Sequence, residues 1–316
     1  MPTVVVDHDL PLADPLADRC DDLEIVTTNG PEETGSALAD AEILVTNPTR
    51  WDDRLLAALD PGDWVQATSA GYAAFPVAEF RDRGVTFANA TGLHDPVVAE
   101  HAFALAFAFS RTIPAFVSKQ AEHTWGPRTA VTADLTDWTG RTLTVYGLGS
   151  IGETIAERGS AFGMDVYGVK RDPEDYDGGL PAERVLAPEA FHDVLPETDL
   201  LVAIVPLTEE TRGSIDAAVF RALPDSAILV NVSRGPVVDE AALVDALREG
   251  EVAGAGLDVF EEEPLPESSP LWDREDVLVT PHVGGRSDTF PTRFADLFAE
   301  NYGRWRADEP LRNRIA

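Results

Sequence analysis

The stretch Tyr146-Gly147-Leu148-Gly149-Ser150-Ile151-Gly152 decides the fold of this chain. The apolar run at 142–146 before it has the pattern of a buried strand, and residues 153–162 after it have the pattern of a helix. A strand, a glycine-rich turn and a helix in this order form a dinucleotide-binding fingerprint. The next apolar run, at 165–170, follows at the distance that such a site requires. The alternative is a glycine-rich turn without a ligand.

The three glycines of this stretch have separate tasks. Gly147 permits the tight turn, Gly149 lets the backbone approach a pyrophosphate, and Gly152 lets the helix pack close to the strand. The helix N-terminus offers free N–H groups and a partial positive charge to the phosphates. The cofactor-binding residues predicted from this stretch are Gly147, Leu148, Gly149, Ser150, Ile151 and Gly152.

Apolar strands alternate with helical segments on both sides of the fingerprint. Those from the fingerprint onward lie at 142–146, 165–170, 200–205, 227–232, 254–259 and 277–281. Those before it lie at 3–6, 24–27, 43–46, 64–68 and 86–88. Such alternation indicates parallel sheets covered by helices. We therefore predict an α/β fold with two doubly wound parallel-sheet domains, of which the later one is a Rossmann domain.

Three segments outside the strands complete this outline. Residues 98–111 predict a buried apolar helix, and 288–306 predict an amphipathic helix that returns to the first domain. Residues 112–139 contain Pro114, Gly126 and Pro127, so we expect an irregular excursion there.

The charge of the chain is strongly negative. Its 316 residues include 56 Asp and Glu against 24 Lys and Arg, which gives a formal net charge of -32. Such a surface repels nucleic acid and anionic membranes, so we expect neither as a partner. A hydrophobic content of 44% argues against disorder. Lys119 and Lys170 are the only lysines, and a folded, acidic, lysine-poor chain is typical of a halophile with a salt-rich cytoplasm. We expect it to lose stability or activity at low salt.

Cysteine usage and apolar runs bear on the compartment. Cys20 is the only cysteine, so an internal disulfide is excluded and no thiolate metal site is expected. Residues 1–7 lack a basic region followed by an apolar run, and we therefore expect no signal peptide. The longest apolar run, at 102–109, is too short to span a bilayer. These features favour a cytoplasmic protein.

Two cations follow the second strand of the Rossmann domain. An NAD-binding protein usually places an acid about 20 residues beyond the fingerprint, where it binds the ribose 2′-hydroxyl. Here Lys170 occupies that place, and Arg171 follows it. An ammonium and a guanidinium would bind a 2′-phosphate, so we predict NADPH as the preferred cofactor. The alternative is two surface cations, and Asp172 leaves some use of NADH possible.

Three later stretches follow strands and carry an arginine, a glutamate and a histidine. They are Asn231-Val232-Ser233-Arg234-Gly235, Leu257-Asp258-Val259-Phe260-Glu261-Glu262-Glu263-Pro264 and Thr280-Pro281-His282-Val283-Gly284-Gly285. A guanidinium can hold a substrate carboxylate and polarise a keto group, and an imidazolium can protonate the keto oxygen. A carboxylate can orient the imidazole and raise its pKa. Taken singly, each of the three residues could equally be an ordinary surface or packed side chain.

Together these motifs resemble the D-isomer-specific 2-hydroxyacid dehydrogenases, the family of glyoxylate/hydroxypyruvate reductases and phosphoglycerate dehydrogenases. The resemblance covers nearly the whole chain. Besides the fingerprint and the three stretches above, it rests on Val98-Ala99-Glu100-His101 and on Val205-Pro206-Leu207-Thr208 with Thr211.

The resemblance implies a role for each matching residue. His282 would be the acid/base, Glu263 its partner and Arg234 the substrate binder. The loop Ser69-Ala70-Gly71 would bind the substrate carboxylate through its N–H groups, although Gly71 could also belong to an ordinary turn. Asp258 would bind the nicotinamide carboxamide. The remaining cofactor contacts implied are Val205, Pro206, Thr211, Val232, His282 and Gly284.

The resemblance also implies a domain arrangement. Residues 1–97 and 285–316 would form a flavodoxin-like substrate domain, into which a dinucleotide-binding domain of residues 98–284 is inserted. The active site would lie in the interdomain cleft, and a homodimer would form through the cofactor domains.

The expected reaction is the reduction of a 2-oxoacid to a D-2-hydroxyacid by NADPH. One alternative is a dinucleotide-sensing regulatory protein, because some relatives act as corepressors. Another is oxidation of formate or phosphite on the same scaffold. The resemblance implies that formate dehydrogenases, which share this fold, pair a Gln with the histidine. Glu263 at this position therefore favours a hydroxyacid as the substrate.

Overall fold

The computed structural model describes residues 1–9, 11–125 and 135–316. These residues form two compact units. The N-terminal unit consists of Met1–His94 together with Arg286–Ala316, and the central unit consists of Asp95–Gly285. Both divisions lie within three residues of the boundaries expected at 97/98 and 284/285.

The strands of the described residues are short, and most of their residues are buried. They are β1 (Thr3–Val6), β2 (Glu24–Thr27), β3 (Ile43–Thr46), β4 (Trp64–Ala67), β5 (Thr86–Ala88), β6 (Thr142–Tyr146), β7 (Asp165–Val169), β8 (Val185–Leu186), β9 (Leu200–Ala203), β10 (Ile228–Asn231), β11 (Gly254–Leu257) and β12 (Val277–Val279).

The helices of the described residues alternate with these strands. They are α1 (Ala13–Ala17), α2 (Pro31–Ala37), α3 (Val77–Arg83), α4 (Asp95–Ser110), α5 (Ile113–Ala121), α6 (Ser150–Ala161), α7 (Phe191–Val194), α8 (Ala217–Ala222), α9 (Glu240–Glu249) and α10 (Phe290–Arg306). Several short 3-10 helices lie between them, including Asp53–Ala58.

The N-terminal unit is built on five parallel strands in the order β2-β1-β3-β4-β5. This is the flavodoxin-like order of a doubly wound sheet. Helix α10 covers one face of the sheet, where Phe294 and Phe298 are fully buried and Phe298 stacks on Trp64 with ring centroids 4.9 Å apart. The last segment of the chain thus completes the core of the first.

The central unit is built on seven parallel strands in the order β12-β11-β10-β9-β6-β7-β8. The order reverses direction between β6 and β9, and ligands bind at such a switch point, beyond the carboxyl ends of the strands. The glycine turn follows β6, so the fold places it at this point. The predicted class, α/β with doubly wound parallel sheets, is confirmed.

Successive residues of a strand pack into two cores on opposite faces of the sheet, because side chains along a strand point alternately to one face and the other. In β9, Leu200 and Val202 pack into one cluster of buried side chains, and Leu201 and Ala203 pack into another on the opposite face. Because both faces are covered, the strands read as continuous apolar runs rather than as alternating ones.

The segment after α4 differs from the expectation. Residues 112–139 were predicted to be irregular, but α5 occupies Ile113–Ala121. Pro114 lies in the first turn of α5, where its missing N–H is not needed and its fixed φ suits a helix. Gly126 and Pro127, which also contributed to the expectation, lie outside the described residues. Among the described residues, no helix is long and apolar enough to cross a membrane.

Candidate active site

The glycine turn after β6 is held tightly against the neighbouring strands. Gly147 has a φ of 118°, a conformation that favours glycine, and its N–H donates to the Val169 carbonyl. A Cβ on Gly147 would lie 2.6 Å from the Ile204 carbonyl oxygen, and one on Gly152 would overlap the Gly147 carbonyl. The turn and the start of α6 therefore require glycine at both positions.

Gly149 lies at the N-terminus of α6 and faces open space. It is the N-cap residue, no side chain caps the helix there, and a Cβ on Gly149 would meet no atom within 4 Å. A helix N-terminus with uncapped N–H groups and room beside the backbone suits a pyrophosphate. The residues present therefore fit the diphosphate of a nicotinamide dinucleotide.

The other residues of the fingerprint support the turn. Leu148 is buried against Gly168 of β7, and Ile151 packs against the core. The Ser150 hydroxyl donates a hydrogen bond to the buried carboxylate of Asp95, at the start of α4. Its side chain is therefore engaged within the protein.

The loop after β9 lies beside this turn. The Val205 side chain would be 2.9 Å from a Cβ on Gly147. The Thr211 hydroxyl donates to the Pro206 carbonyl over 2.6 Å and accepts from the Thr208 N–H over 2.8 Å, so the loop is closed on itself. Val232, at the end of β10, is buried.

The two cations predicted to bind a 2′-phosphate follow β7. The Lys170 ammonium lies 3.4 Å from the Leu148 carbonyl oxygen, which brings it to the glycine turn. Arg171 is 89% exposed, and its guanidinium pairs with Asp172 at 3.2 Å. A positive charge is thus present at the place where the adenosine ribose of a dinucleotide lies in this fold.

His282 and Glu263 are in direct contact. The Nδ1 atom of His282 lies 2.7 Å from Oε2 of Glu263, and Oε1 of Glu263 accepts the Phe260 N–H over 3.1 Å. The carboxylate is therefore fixed by the backbone of its own loop. An Nδ1–H donated to a carboxylate leaves Nε2 as the atom that can exchange a proton with a ligand. The histidine side chain is 49% exposed, so a ligand can reach it.

Arg234 belongs to a loop that a buried amide organises. The Asn231 Oδ1 atom accepts from the N–H and the hydroxyl of Ser233, and its Nδ2 donates to the Arg234 carbonyl. The Arg234 guanidinium donates to the Ser233 carbonyl over 2.6 Å. Among the described residues, Arg234 forms no ion pair, and its guanidinium makes no hydrogen bond to Glu263 or His282.

Gly235 joins the loop of Arg234 to the loop of Glu263. A Cβ at Gly235 would overlap the Phe260 carbonyl and would lie 2.5 Å from the Glu261 N–H nitrogen. Only a glycine lets the two backbones approach so closely. The loops after β10, β11 and β12 therefore meet at the carboxyl edge of one sheet, as the sequence predicts.

Asp258 has a role beyond the one expected for it. Its carboxylate is buried and accepts hydrogen bonds from the Thr280 hydroxyl (2.6 Å), the Val283 N–H (2.9 Å) and the Gly284 N–H (2.8 Å). Burial alone would raise the pKa of Asp258, but hydrogen bonds from His101, Thr280 and the two N–H groups outweigh burial and lower it. Asp258 is therefore an ionised anchor of the segment that carries His282.

A cavity of about 410 Å³ lies next to the His282–Glu263 pair. Apart from these two side chains it is lined by apolar or aromatic ones: Phe260, Pro264, Leu265, Trp272, Val279 and Pro281. The pair therefore faces a largely apolar surface on the side of this cavity.

The loop 69–71 lies in the N-terminal unit, after β4. Its carbonyl oxygens are bonded within that unit: Ser69 to the Ala90 N–H, Ala70 to the Asn89 side chain and Gly71 to the Ser69 hydroxyl. Among the described residues, the N–H groups of Ser69, Ala70 and Gly71 donate to no acceptor, so they are available to bind an anion.

Asn231 and Gly235 have structural roles that the motifs containing them do not predict. Both shape the loops on which Arg234 and Glu263 lie. An Asn that ends a buried strand and a Gly directly after a candidate arginine were the available signals. Neither pattern specifies which backbone groups the residue will contact.

Known proteins resemble this chain in sequence. The family model of the "D-isomer specific 2-hydroxyacid dehydrogenase, NAD binding domain" matches residues 103–284. A glyoxylate reductase of Korarchaeum cryptofilum is 38% identical over 240 residues, which are 74% of this chain and 70% of that protein. A D-3-phosphoglycerate dehydrogenase of Mycobacterium tuberculosis is 37% identical over 89% of this chain, which spans about half of that protein, 52%.

Solved structures resemble the whole chain. A D-isomer specific 2-hydroxyacid dehydrogenase family protein of Aeromonas salmonicida has a TM-score of 0.83 and 31% identity, covering 100% of this chain and 99% of that one. An NADPH-dependent glyoxylate/hydroxypyruvate reductase of Sinorhizobium meliloti, in complex with citrate, has a TM-score of 0.80 and 28% identity, covering 100% and 98%.

Proposed function

This chain belongs to the D-isomer specific 2-hydroxyacid dehydrogenase family, and we propose that it reduces a small 2-oxoacid to the D-2-hydroxyacid with NADPH as the preferred donor. It is an NAD(P)-dependent oxidoreductase of the CH–OH group. The observation that carries the proposal is the 2.7 Å contact of His282 with Glu263, on the same sheet edge as the glycine turn.

His282 is the proton donor in this proposal. A bound nicotinamide would supply the hydride to the carbonyl carbon. His282 would give the proton on Nε2 to the carbonyl oxygen, so that the keto group becomes a hydroxyl. Glu263 holds the ring through Nδ1, and its negative charge offsets the positive charge of the imidazolium before transfer.

Arg234 and the loop 69–71 are proposed to bind the substrate. A guanidinium offers two parallel N–H donors to a carboxylate and can polarise the adjacent keto oxygen. The Asn231 network supports this role because it fixes the backbone on which Arg234 lies. The N–H groups of Ser69, Ala70 and Gly71 are proposed to take the substrate carboxylate.

NADPH preference is supported by Lys170, whose ammonium lies beside the glycine turn, and by the exposed guanidinium of Arg171. An NADPH-dependent relative with the same fold supports it further. The remaining cofactor contacts are proposed at Val205, Pro206, Thr211, Val232, Asp258 and Gly284.

Glyoxylate and hydroxypyruvate are the substrates that the relatives' names favour. The test is the initial rate of NADPH and NADH oxidation in molar KCl with glyoxylate, hydroxypyruvate and pyruvate. We expect turnover with NADPH favoured, and D-glycerate as the only enantiomer formed from hydroxypyruvate. Turnover with NADH favoured would contradict the cofactor preference, and L-glycerate would contradict the stereochemistry.

The same assay separates the alternatives. A dinucleotide-sensing protein would bind NADPH without turning over any 2-oxoacid. A formate- or phosphite-oxidising enzyme would instead reduce NADP⁺ or NAD⁺ with those anions. We further propose a homodimer, to be tested by sedimentation equilibrium in molar KCl, where a monomer would contradict it.

A further inference from the structure

A second histidine lies close to the carboxylate that anchors the His282 segment. His101 is on α4, and its side chain is only 20% exposed. Its Nε2 atom lies 2.8 Å from the Thr280 hydroxyl oxygen and 3.3 Å from Oδ1 of Asp258. Among the described residues, the side chains of His101, Thr280 and Asp258 form no hydrogen bond to Glu263.

The direction of the hydrogen bonds in this cluster follows from its chemistry. The Asp258 carboxylate is ionised and can only accept, and the Thr280 hydroxyl lies 2.6 Å from it. The single hydroxyl proton is therefore donated to Asp258. The Thr280 oxygen must then accept from His101, so Nε2 of His101 carries a proton. The result is a directed chain from His101 through Thr280 to Asp258.

The chain ends on the backbone that carries His282. Three consecutive N–H groups converge on Asp258: that of His282 on its main-chain oxygen, and those of Val283 and Gly284 on its carboxylate. His282 has a φ of 52°, which a non-glycine residue adopts only where surrounding bonds enforce it. These three bonds provide that enforcement.

Gly284 lies close to both Asp258 and His101. A Cβ on Gly284 would lie 2.8 Å from Oδ2 of Asp258 and 3.2 Å from Cδ2 of His101. The His101 ring thus packs directly against the segment as well as bonding to its anchor. Helix α4 is thereby connected to residues 280–284 by both packing and polar contacts.

We propose that His101 is a positioning residue for proton transfer, acting through Thr280 and Asp258 to hold the backbone of His282. The proposal rests on the proposed function, because it assumes that His282 is the acid. Its essential feature is the Nε2–H donor: without it the Thr280 hydroxyl oxygen loses the donor that orients it, and the Asp258 acceptor that holds residues 282–284 is less firmly fixed.

Two variants of His101 separate the donor from the ring. His101→Gln places an amide N–H near the position of Nε2, whereas His101→Leu fills similar space without a donor. Each variant is compared with the wild type by hydrogen exchange of the peptide spanning residues 278–286, by NADPH binding, and by kcat and KM with glyoxylate. His192→Leu, an exposed histidine in α7 of the same unit, is the control.

We expect His101→Leu to accelerate exchange at residues 282–284 and to lower kcat about ten- to a hundredfold, because catalytic groups are sensitive to small displacements. The Kd of NADPH and the KM of the oxoacid should change little. His101→Gln should restore most of both losses, and His192→Leu should match the wild type. Equal losses in the Gln and Leu variants, or faster exchange with unchanged kcat, would overturn the proposal.

Thr280 provides a second pair should His101→Leu fail to fold. Thr280→Val removes the hydroxyl at nearly constant volume, and Thr280→Ser keeps it. The valine variant should show the faster exchange and lower kcat expected of His101→Leu, and the serine variant should resemble the wild type. Equal behaviour of the two variants would overturn the proposal. If wild-type protein turns over no 2-oxoacid, the proposed function fails, while the exchange measurements still decide whether His101 holds the segment.

Discussion

At the scale of single residues, the two lysines lie in different surroundings. Lys170 lies at the glycine turn, whereas Lys119 lies on α5. We predict that Lys170→Ala raises the KM for NADPH about tenfold or more, because a charge-assisted hydrogen bond contributes about 1.5–3 kcal/mol. The KM for NADH should change little, since it has no 2′-phosphate. Initial rates with both cofactors check this.

Lys119→Ala is the matched control for the loss of one lysine charge. It should leave both KM values unchanged. An equal rise of the NADPH and NADH values in Lys170→Ala would mean that Lys170 does not read the 2′-phosphate.

His8 is a partly buried histidine whose protonation affects the stability of the N-terminal unit at acid pH. Burial lowers the pKa of His8 from 6.5 to about 4, with Arg50 acting in the same direction and Asp9 and Asp7 opposing it. As the pH falls from 6.5 to 4, the unfolded chain takes up a proton at His8 and the folded chain does not. The contribution of His8 to the free energy of unfolding is therefore fully present above pH 6.5. It falls by about 3 kcal/mol as the pH decreases to 4.

His8→Gln removes the titration but keeps a polar group near the Thr68 hydroxyl, which lies 2.9 Å from Nε2 of His8. We predict that the variant loses less unfolding free energy than the wild type between pH 6.5 and pH 4. Denaturant unfolding at the two pH values, in constant salt, measures this. His192→Gln is the exposed control, and identical pH dependence in all three proteins would contradict the assignment.

Residue types with one dominant chemistry could be proposed as site residues from the sequence. His282, Glu263 and Arg234 follow strands of one sheet, so their loops were expected to meet, and the His282–Glu263 contact is present. Asn231 and His101 could not be assigned in advance. Their partners are backbone groups and side chains whose positions depend on how the loops pack, which spacing along the chain does not specify.

At the scale of secondary-structure elements, strands were predicted better than helices. Buried parallel strands appear as apolar runs, and those of the N-terminal unit agree with the structure to within one residue. Strand β8 has only two residues and carries no such pattern. Helix α6 begins at Ser150, three residues before the expected start, because Gly152 lies inside its first turn.

The loops that carry Arg234 and Glu263 are in close backbone contact at Gly235. Gly235→Ala forces the two backbones apart, because a Cβ would overlap the Phe260 carbonyl. We expect a loss of about 1–3 kcal/mol of stability, as for other overpacked sites, and a lower kcat with unchanged NADPH binding. Denaturant unfolding and steady-state kinetics measure the two effects.

Gly303→Ala is the control for that substitution. Gly303 lies in α10, and a Cβ there would meet no atom within 4 Å. Alanine is the better helix former, so this variant should be neutral or slightly more stable. Wild-type kcat and stability in Gly235→Ala would show that the close approach of the two loops is not needed.

At the scale of the whole molecule, the charge of -32 dominates. Excess acidic groups repel one another in the folded state. At 0.1 M, salt screens the repulsion between charges that are more than about 10 Å apart. We predict that the thermal midpoint rises steadily with KCl from millimolar to molar concentrations. Differential scanning fluorimetry at fixed pH measures the trend.

Tetramethylammonium chloride separates general screening from binding of potassium. Equal stabilisation at equal ionic strength would indicate screening alone, as we predict. Full stability in dilute buffer would contradict the interpretation that the acidic surface is adapted to a salt-rich cytoplasm.

The role of His282, paired with Glu263, as the proton donor to a 2-oxoacid is best measured by kcat for NADPH-dependent reduction of glyoxylate in molar KCl. Wild-type protein is compared with His282→Gln, which keeps a polar side chain but cannot serve as an acid. We predict a fall in kcat of about 10²-fold or more, the usual contribution of a general acid, with NADPH binding retained. A His282→Gln variant with wild-type kcat would contradict it.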